Sequence, residues 1–430
     1  MNITESSTKS GNVAEEANSR VAFTDKKYLT TLIFVTSLFM FWGVAITMGD
    51  VLNKHFQHTL SLSRSQSAFV QFAIFGAYFV MGIPAGLFMK KFGYKKGVLL
   101  GLSLFASGSF LFIPAANNSS FAFFGVALFI LGCGLSTLET VAHPFMASLG
   151  DQRSSDQRVN FAQSFNALGA IIGPAIGSYF LLRHNVAGNT DLTSVKLLYM
   201  VIGGVIAFIA VCFSFVKVPG TVEPHGSQVG ASSEEFSLGS KKGLFQYSHF
   251  RWAVLAQFCN VAAQSGTWAF FINYGHEVMG FDEATAGNYM VLFMALMLAG
   301  RFIGTFLMRS IAPNKLLATF AIANVVMCLI VAQGWGWVSF SALLGINFFL
   351  SIMFPTIFSL GLKELGSHTQ QASSFISMGV VGGALFPFVM GSIADHSGVA
   401  VSYYMPIICY LVVFLFGWSF YKVGENNKIN

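Results

Sequence analysis

Asp50, Glu139 and Arg301 are charged residues inside long apolar stretches, near 28–53, 120–148 and 284–308; almost every other charge falls in a loop, a tail or the end of a stretch. A charge at mid-bilayer costs roughly 2.5–3.5 kcal/mol on insertion scales, so such residues usually face a polar cavity and carry function. A carboxyl group there is acid or carboxylate according to whether water reaches it. That suits Asp50 and Glu139 to load and release a proton. If two such acids face one cavity, one can carry the proton while the other binds hydroxyls. The alternative is a structural pair, or neutral acids buried for packing. For Arg301, structural and functional readings both stand.

Amides and hydroxyls recur at helical spacing around these acids. Thr47 precedes Asp50 by three residues; Asn160, Gln163 and Asn166 are three apart; Gln257, Asn260, Gln264 and Trp268 follow one another at three- and four-residue steps. Amides in membrane helices also serve as interhelical glue, worth about 0.6 kcal/mol on average. Stripes on several stretches together point instead to a wet central cavity with donors and acceptors for a neutral polyol. Trp42 and Trp268 would stack on a sugar face, although lone aromatics usually contact lipid or core. His143, one turn after Glu139, is placed to relay a proton or simply to hydrogen-bond a neighbour.

The elements that must position these residues are membrane helices. The chain of 430 residues is 54% hydrophobic and 10% charged, whereas a soluble domain is usually about 25% charged. About 20 apolar residues cross the hydrocarbon core. Twelve such runs are predicted: 28–53, 66–89, 96–115, 120–148, 159–182 and 196–216, then 251–274, 284–308, 314–333, 336–365, 370–394 and 400–421. The expected organisation is a cytosolic tail (1–27), a six-helix bundle (28–216), a cytosolic linker (217–250), a second six-helix bundle (251–422) and a cytosolic tail (423–430). With both termini inside, sixteen Lys and Arg lie on the linker side, Arg153, Arg158 and Lys363 among them. Only Lys54, Arg64, Arg183 and Lys196 lie outside, which fixes the orientation. The polar start before any apolar core predicts a retained first helix rather than a cleaved leader.

The apolar runs lack the alternation of roughly 10-residue outer-membrane strands, which excludes a porin-like barrel. Cys133, Cys212, Cys259, Cys328 and Cys409 fall in apolar runs without ligand spacing, so buried thiols are expected and neither disulfides nor a metal site. A basic balance of +6 in such a chain reports topology, not nucleic acid. No Walker loop, nucleophile elbow or H-E-x-x-H is present, so the expectation is no enzyme, no cofactor, and drive from an ion gradient or none. The segment 86–95 reads as a Gly-cornered basic turn between the second and third runs, of the kind that clamps a cytosolic gate; topology would place its lysines there in any case.

From the first run to the last, the chain resembles the fucose–galactose–glucose proton symporters of the major facilitator superfamily. The stretches that carry the resemblance are 138–145 (LETVAHPF), 162–166 (AQSFN), 251–259 (RWAVLAQFC), 355–361 (PTIFSLG) and 373–376 (SSFI). They look more like the L-fucose permease branch than the glucose/galactose branch, where a Gln tends to stand in place of Glu139. The resemblance implies twelve helices in two pseudo-symmetric bundles working by alternating access. It implies a sugar site between the bundles, with Asp50 and Glu139 as acids of coupling and sugar binding and Gln163 and Asn166 lining the site. Thr47 and Gly49 stand where fucose permeases carry asparagines, Asn260 replaces an aromatic and His143 an Asn; Lys90 stands where most facilitators carry an acid. The expectation is a monomeric sugar:proton symporter of the inner membrane with L-fucose the leading substrate. Glucose, galactose or an N-acetylhexosamine are the alternatives, and a passive facilitator or a non-transporting sugar sensor the readings from other classes.

Overall fold

The computed structural model describes residues 23–59, 64–177, 192–218 and 243–423; the side chains of 49–59, 64–72, 174–175, 177 and 283–284 fall outside the description. Most of the expected linker and tails therefore lie outside it too. The described residues form helices and no strand. In lipid a helix satisfies every backbone group within its own segment. The first half contains α1 (Leu29–Thr59), α4 (Phe121–Ser148), α5 (Ser155–Gly177) and α6 (Thr193–Phe215), with α2 and α3 as the arms 64–92 and 94–117 of the run Arg64–Asn117. The second half contains α7 (Ser248–Met279), α8 (Glu283–Leu307), α9 (Pro313–Val331), α10 (Trp337–Gly361), α11 (Gly366–Ser397) and α12 (Val399–Phe420).

The helices begin and end where local chemistry says they should. Ser120 accepts the Phe123 N–H at 3.4 Å and Asp282 accepts that of Thr285 at 3.3 Å, both as N-caps. Pro313 opens α9, and Gly280 ends α7 in the left-handed conformation. Between α4 and α5 the turn is held by Asp151, which takes the Arg153 guanidinium at 3.0 Å; that bond holds the Asp151 carboxyl below its usual range.

Several predicted boundaries are corrected. The expected Gly-cornered basic turn is present within 86–95 but is tighter than that span: Gly93, at φ 85°, a conformation that only glycine adopts without strain, reverses the chain between α2 and α3, and the residues on either side of it are helical. Helix α10 is interrupted between Leu350 and Met353, and α11 by a 3₁₀ turn at Gly379–Val381. Helix α7 begins at Ser248, inside the expected linker. Nine described segments are long and apolar enough to cross a membrane, one of them the folded-back α2–α3 pair. The two helices this leaves out, α5 and α7, are the bearers of the amide stripes.

Within the halves, α1 packs on α5, the α2–α3 pair on α4 and α6, α7 on α11 and α12, and α9 on α10 and α12. The α1–α5 contact is backbone to backbone. A Cβ at Gly43 would run into the Asn166 carbonyl oxygen, and one at Gly169 into that of Met40. Large apolar side chains such as Phe208, Phe306, Phe388 and Trp418 project outward at 65–73% exposure, a surface suited to lipid and not to water. Arg158 reverses an expectation. Counted as a charge on the linker side, it is fully buried and donates to the carbonyls of Met146, Ala147, Asp151 and Phe23 and to the Ser154 hydroxyl. It caps the open end of α4 and ties the chain's approach to α1 onto it.

Candidate functional site

Glu139 sits in the middle of α4 at 2% exposure, and neither carboxylate oxygen has a hydrogen-bond partner among the described residues. Facing it from α2 is the fully buried Tyr78. Its hydroxyl accepts the Trp42 indole N–H at 2.8 Å and interacts with the Glu139 carboxyl. Trp42 is thus tied edge-on into an α1–α2–α4 corner, with Phe39 at 6.3 Å.

A second group runs from α4 to the opposite half. The His143 Nδ1 lies 2.9 Å from the Glu139 carbonyl, which can only accept, so this nitrogen carries the proton. Its Nε2 is then the acceptor for the Gln163 amide N–H at 3.0 Å. That orients the Gln163 Oε1 toward the Arg301 Nη1 at 3.1 Å, which also donates to the Gln163 backbone carbonyl and to the Asn166 Oδ1 at 3.3 Å. The Arg301 Nε donates to the Ser351 carbonyl at 3.1 Å, at the interruption of α10. The Asn166 amide donates to the Phe39 carbonyl of α1 at 3.2 Å. One chain of donors and acceptors therefore fixes the tautomer, both amides and the guanidinium, and joins α1, α4 and α5 to α8 and α10.

The linker-side ends of the two halves interlock beneath this network. The Lys363 Nζ meets the Asp156 Oδ2 at 2.8 Å, and the Ser359 hydroxyl donates to the other Asp156 oxygen. The Asn160 amide donates to Thr356 at 3.2 Å, and the Ser373 hydroxyl to the Thr140 carbonyl. Phe358 stacks on the His143 ring at 4.2 Å, with Phe354 at 5.7 Å and Phe39 edge-on at 5.1 Å. The stretches 355–361 and 373–376, which carried part of the sequence resemblance, supply Thr356, Phe358, Ser359 and Ser373 to this closure, and Phe354 and Lys363 flank the first of them.

The structure brings together Glu139, Trp42, Gln163 and Asn166 from the expected site. Asp50 lies on α1, its side chain outside the described residues. Thr47 stands apart: its hydroxyl donates to the Gly43 carbonyl at 2.9 Å and abuts Gly173 of α5, a packing contact between two helices. On α7, Gln257 and Asn260 are fully buried and no atom of either amide has a partner among the described residues. Gln264 is half-buried on the same helix, and the Trp268 N–H donates to Asn347 of α10 at 3.0 Å. Helix α7 packs within its own half, and no hydrogen bond joins its stripe to the Glu139–Arg301 group. His143 bonds the Glu139 backbone rather than its carboxyl, as the neighbour-bonding reading expects.

Two participants, Tyr78 and Asp156, escaped the sequence reading, and the partners of a third did. Arg301 was visible as a buried charge, but its partners lie 135 and 138 positions away in the chain. Tyr78 is one of 12 tyrosines in an aromatic-rich chain, and only its position opposite Glu139 distinguishes it. Asp156 reads as an acid in a helix's first turn; its bond to Lys363, 207 residues on, has no local signal.

Known proteins match this chain over nearly its full length. A family profile described as Major Facilitator Superfamily matches residues 29–380. The L-fucose-proton symporter of Escherichia coli K12 is 37% identical over 410 residues, covering 91% of this chain and 93% of that protein. The glucose/galactose transporter of Brucella abortus is 34% identical, covering 91% and 94%. A crystal structure of a Major Facilitator Superfamily transporter, FucP, in the outward conformation superposes with a TM-score of 0.82 at 36% identity, covering 91% of this chain and 99% of that one.

Proposed function

The chain belongs to the Major Facilitator Superfamily, and on that premise we propose that it takes up a sugar together with protons by alternating access, with L-fucose as its first substrate. The observation that carries this reading is Glu139. Its carboxyl group is buried in the middle of α4 with no cation paired to it among the described residues, beside a network that spans both halves. A passive carrier of a neutral solute gains nothing from an acid kept there, since the ionised form is costly wherever water is excluded. Opening hydrates the acid and lets its proton leave; closure favours the protonated form. Gln163 and Asn166 line the sugar site, Arg301 holds both in register, and Asp50 is the main proton carrier. The unpaired amides of Gln257 and Asn260 supply the second half's contacts. No enzymatic step enters this scheme, and the carrier acts as a monomer.

Two bundles, 28–216 and 251–422, rock about the site, with 217–250 and both termini on the cytosolic side of the inner membrane. The linker-side interlock corresponds to a carrier closed toward the cytosol, in keeping with the outward conformation of the similar solved structure. Glucose or galactose uptake is the second reading, favoured by the 34% identity to the Brucella transporter.

The test compares uphill accumulation with counterflow in proteoliposomes. Asp50→Asn should abolish accumulation and leave sugar exchange partly intact, because exchange needs no proton release. Glu139→Gln should weaken sugar binding as well. Undiminished accumulation by Asp50→Asn would assign the proton to another group. A panel of labelled sugars with and without a protonophore ranks the substrates.

A further inference from the structure

Helices α1 and α6 leave a seam between them, because α1 packs on α5 and α6 on the α2–α3 pair. Two cavities lie along this seam. One, of about 380 Å³, is at the linker-side end and is lined by Lys27, Thr30 and Thr31 and by Cys212, Phe215 and Lys217. The other, of about 420 Å³, lies deeper in the bilayer and is walled by apolar side chains, among them Met40, Val44 and Met48 of α1, Ile172 of α5, and Val201 and Val205 of α6. Between them the Phe34 and Phe213 rings meet at 6.2 Å, closing α1 on α6 beneath the surface.

A single stripe of α6 connects the two. Val201, Val205, Phe208, Cys212 and Phe215 follow at steps of four and three, one face of a helix. Phe208 and Phe215 are 68% and 80% exposed, so the stripe faces lipid along its length. Val205 lies ten residues, about 15 Å, from the end of α6 at Phe215, and Lys217 follows two residues beyond that end; half of the hydrocarbon core is about 15 Å. The basic end therefore sits at headgroup depth and the crevice at acyl-chain depth in the same leaflet. The charge at that end is positive. Lys95 joins Lys27 and Lys217 there, donating to the Ser214 carbonyl at 2.7 Å, and the opposing Asp25 pairs with Lys27 only at 3.8 Å with both side chains more than half exposed.

We propose that this seam binds one anionic phospholipid, its phosphate between Lys27 and Lys217 and one acyl chain in the crevice among α1, α5 and α6. The lysines select the headgroup charge, and the hydroxyls of Thr30 and Thr31 supply donors to phosphate oxygens. The apolar crevice selects the chain.

Native mass spectrometry of the full chain, purified in detergent with equal phosphatidylglycerol and phosphatidylcholine of matched acyl chains, tests this. Wild type should retain one phosphatidylglycerol in preference to phosphatidylcholine. Lys27→Gln with Lys217→Gln should lower phosphatidylglycerol retention by at least roughly tenfold, from about fivefold per lysine near an anionic headgroup, and leave phosphatidylcholine retention unchanged. Val205→Trp, with Val201→Trp as its replacement if the first fails to fold, should lower retention of both. Variants qualify by unchanged elution and unfolding temperature. Equal retention of the two lipids by wild type, or retention indifferent to the lysine pair, overturns the proposal. Displacement of phosphatidylglycerol by millimolar inorganic phosphate also overturns it, and makes the basic pocket a site for free phosphate.

Discussion

Helices α5 and α7 both carry amides at helical spacing, and the fold treats them in opposite ways. On α5, Asn160, Gln163 and Asn166 bond to Thr356, His143, Arg301 and Phe39, reaching four other helices and both halves. On α7, Gln257 and Asn260 are as deeply buried, and their amides bond to nothing among the described residues. A satisfied amide network holds the arrangement it satisfies, while a buried amide without partners costs about 1–3 kcal/mol relative to one that is bonded. The α5 stripe therefore fixes the present arrangement of the halves. Under the proposed function, the α7 stripe is the part that a bound sugar would satisfy.

The largest expected effect comes from removing the cation that organises α5. Arg301→Ala leaves the Gln163 and Asn166 oxygens without their donor and should cut uptake by about 100-fold, a loss of roughly 3 kcal/mol for bonds to a charged group. Arg301→Lys should recover only part of it, since an ammonium cannot reproduce the guanidinium fork. Uptake by Arg301→Ala within twofold of wild type would mean that the network is packing and nothing more. The Asp156–Lys363 pair comes next. Lys363 is about a third exposed, which discounts the pair to roughly 1–2 kcal/mol. Asp156→Asn should raise the labelling of a cysteine at Thr356 by an impermeant thiol reagent in inside-out vesicles about tenfold; unchanged labelling would place the closure elsewhere.

Smaller effects probe the α7 side. Gln257→Leu should leave the unfolding temperature of the sugar-free protein unchanged or slightly raised, because it removes an unbonded buried amide, and should lower sugar affinity about tenfold. A clear loss of stability without sugar would show that the amide has a structural partner after all. Thr47→Val should change uptake least, within about twofold, since the lost bond runs to its own helix. A tenfold loss of sugar affinity there would return Thr47 to the site.

These contrasts also mark how far the sequence could be read. Hydropathy and charge bias revealed the helices, because the bilayer imposes length and polarity one segment at a time. Spacing revealed Gln163 and Asn166 as a pair, because three residues share a helix face. Neither could tell the bonded stripe from the unbonded one. That difference depends on Arg301 arriving from another helix, and on α7 packing within its own half. The corner at Gly93 was legible as a glycine-cornered basic turn, and only its tightness was hidden: a single residue at positive φ reverses the chain between α2 and α3. The burial of Arg158 was equally hidden, since an arginine beside a loop looks the same whether it faces water or five oxygens.

The contact between α1 and α5 has a mechanical consequence. Gly43 and Gly169 let the two backbones touch so closely that neither helix can slide along the other without collision. Asp50 rides on α1 and Gln163 on α5, so the two helices act as one splinted strut, with no joint between the position proposed for the proton carrier and that proposed for the sugar contact. On that proposal, proton and sugar travel as cargo on a single moving part. Their coupling needs no linkage inside the first half, only a second half that closes against whatever the strut carries.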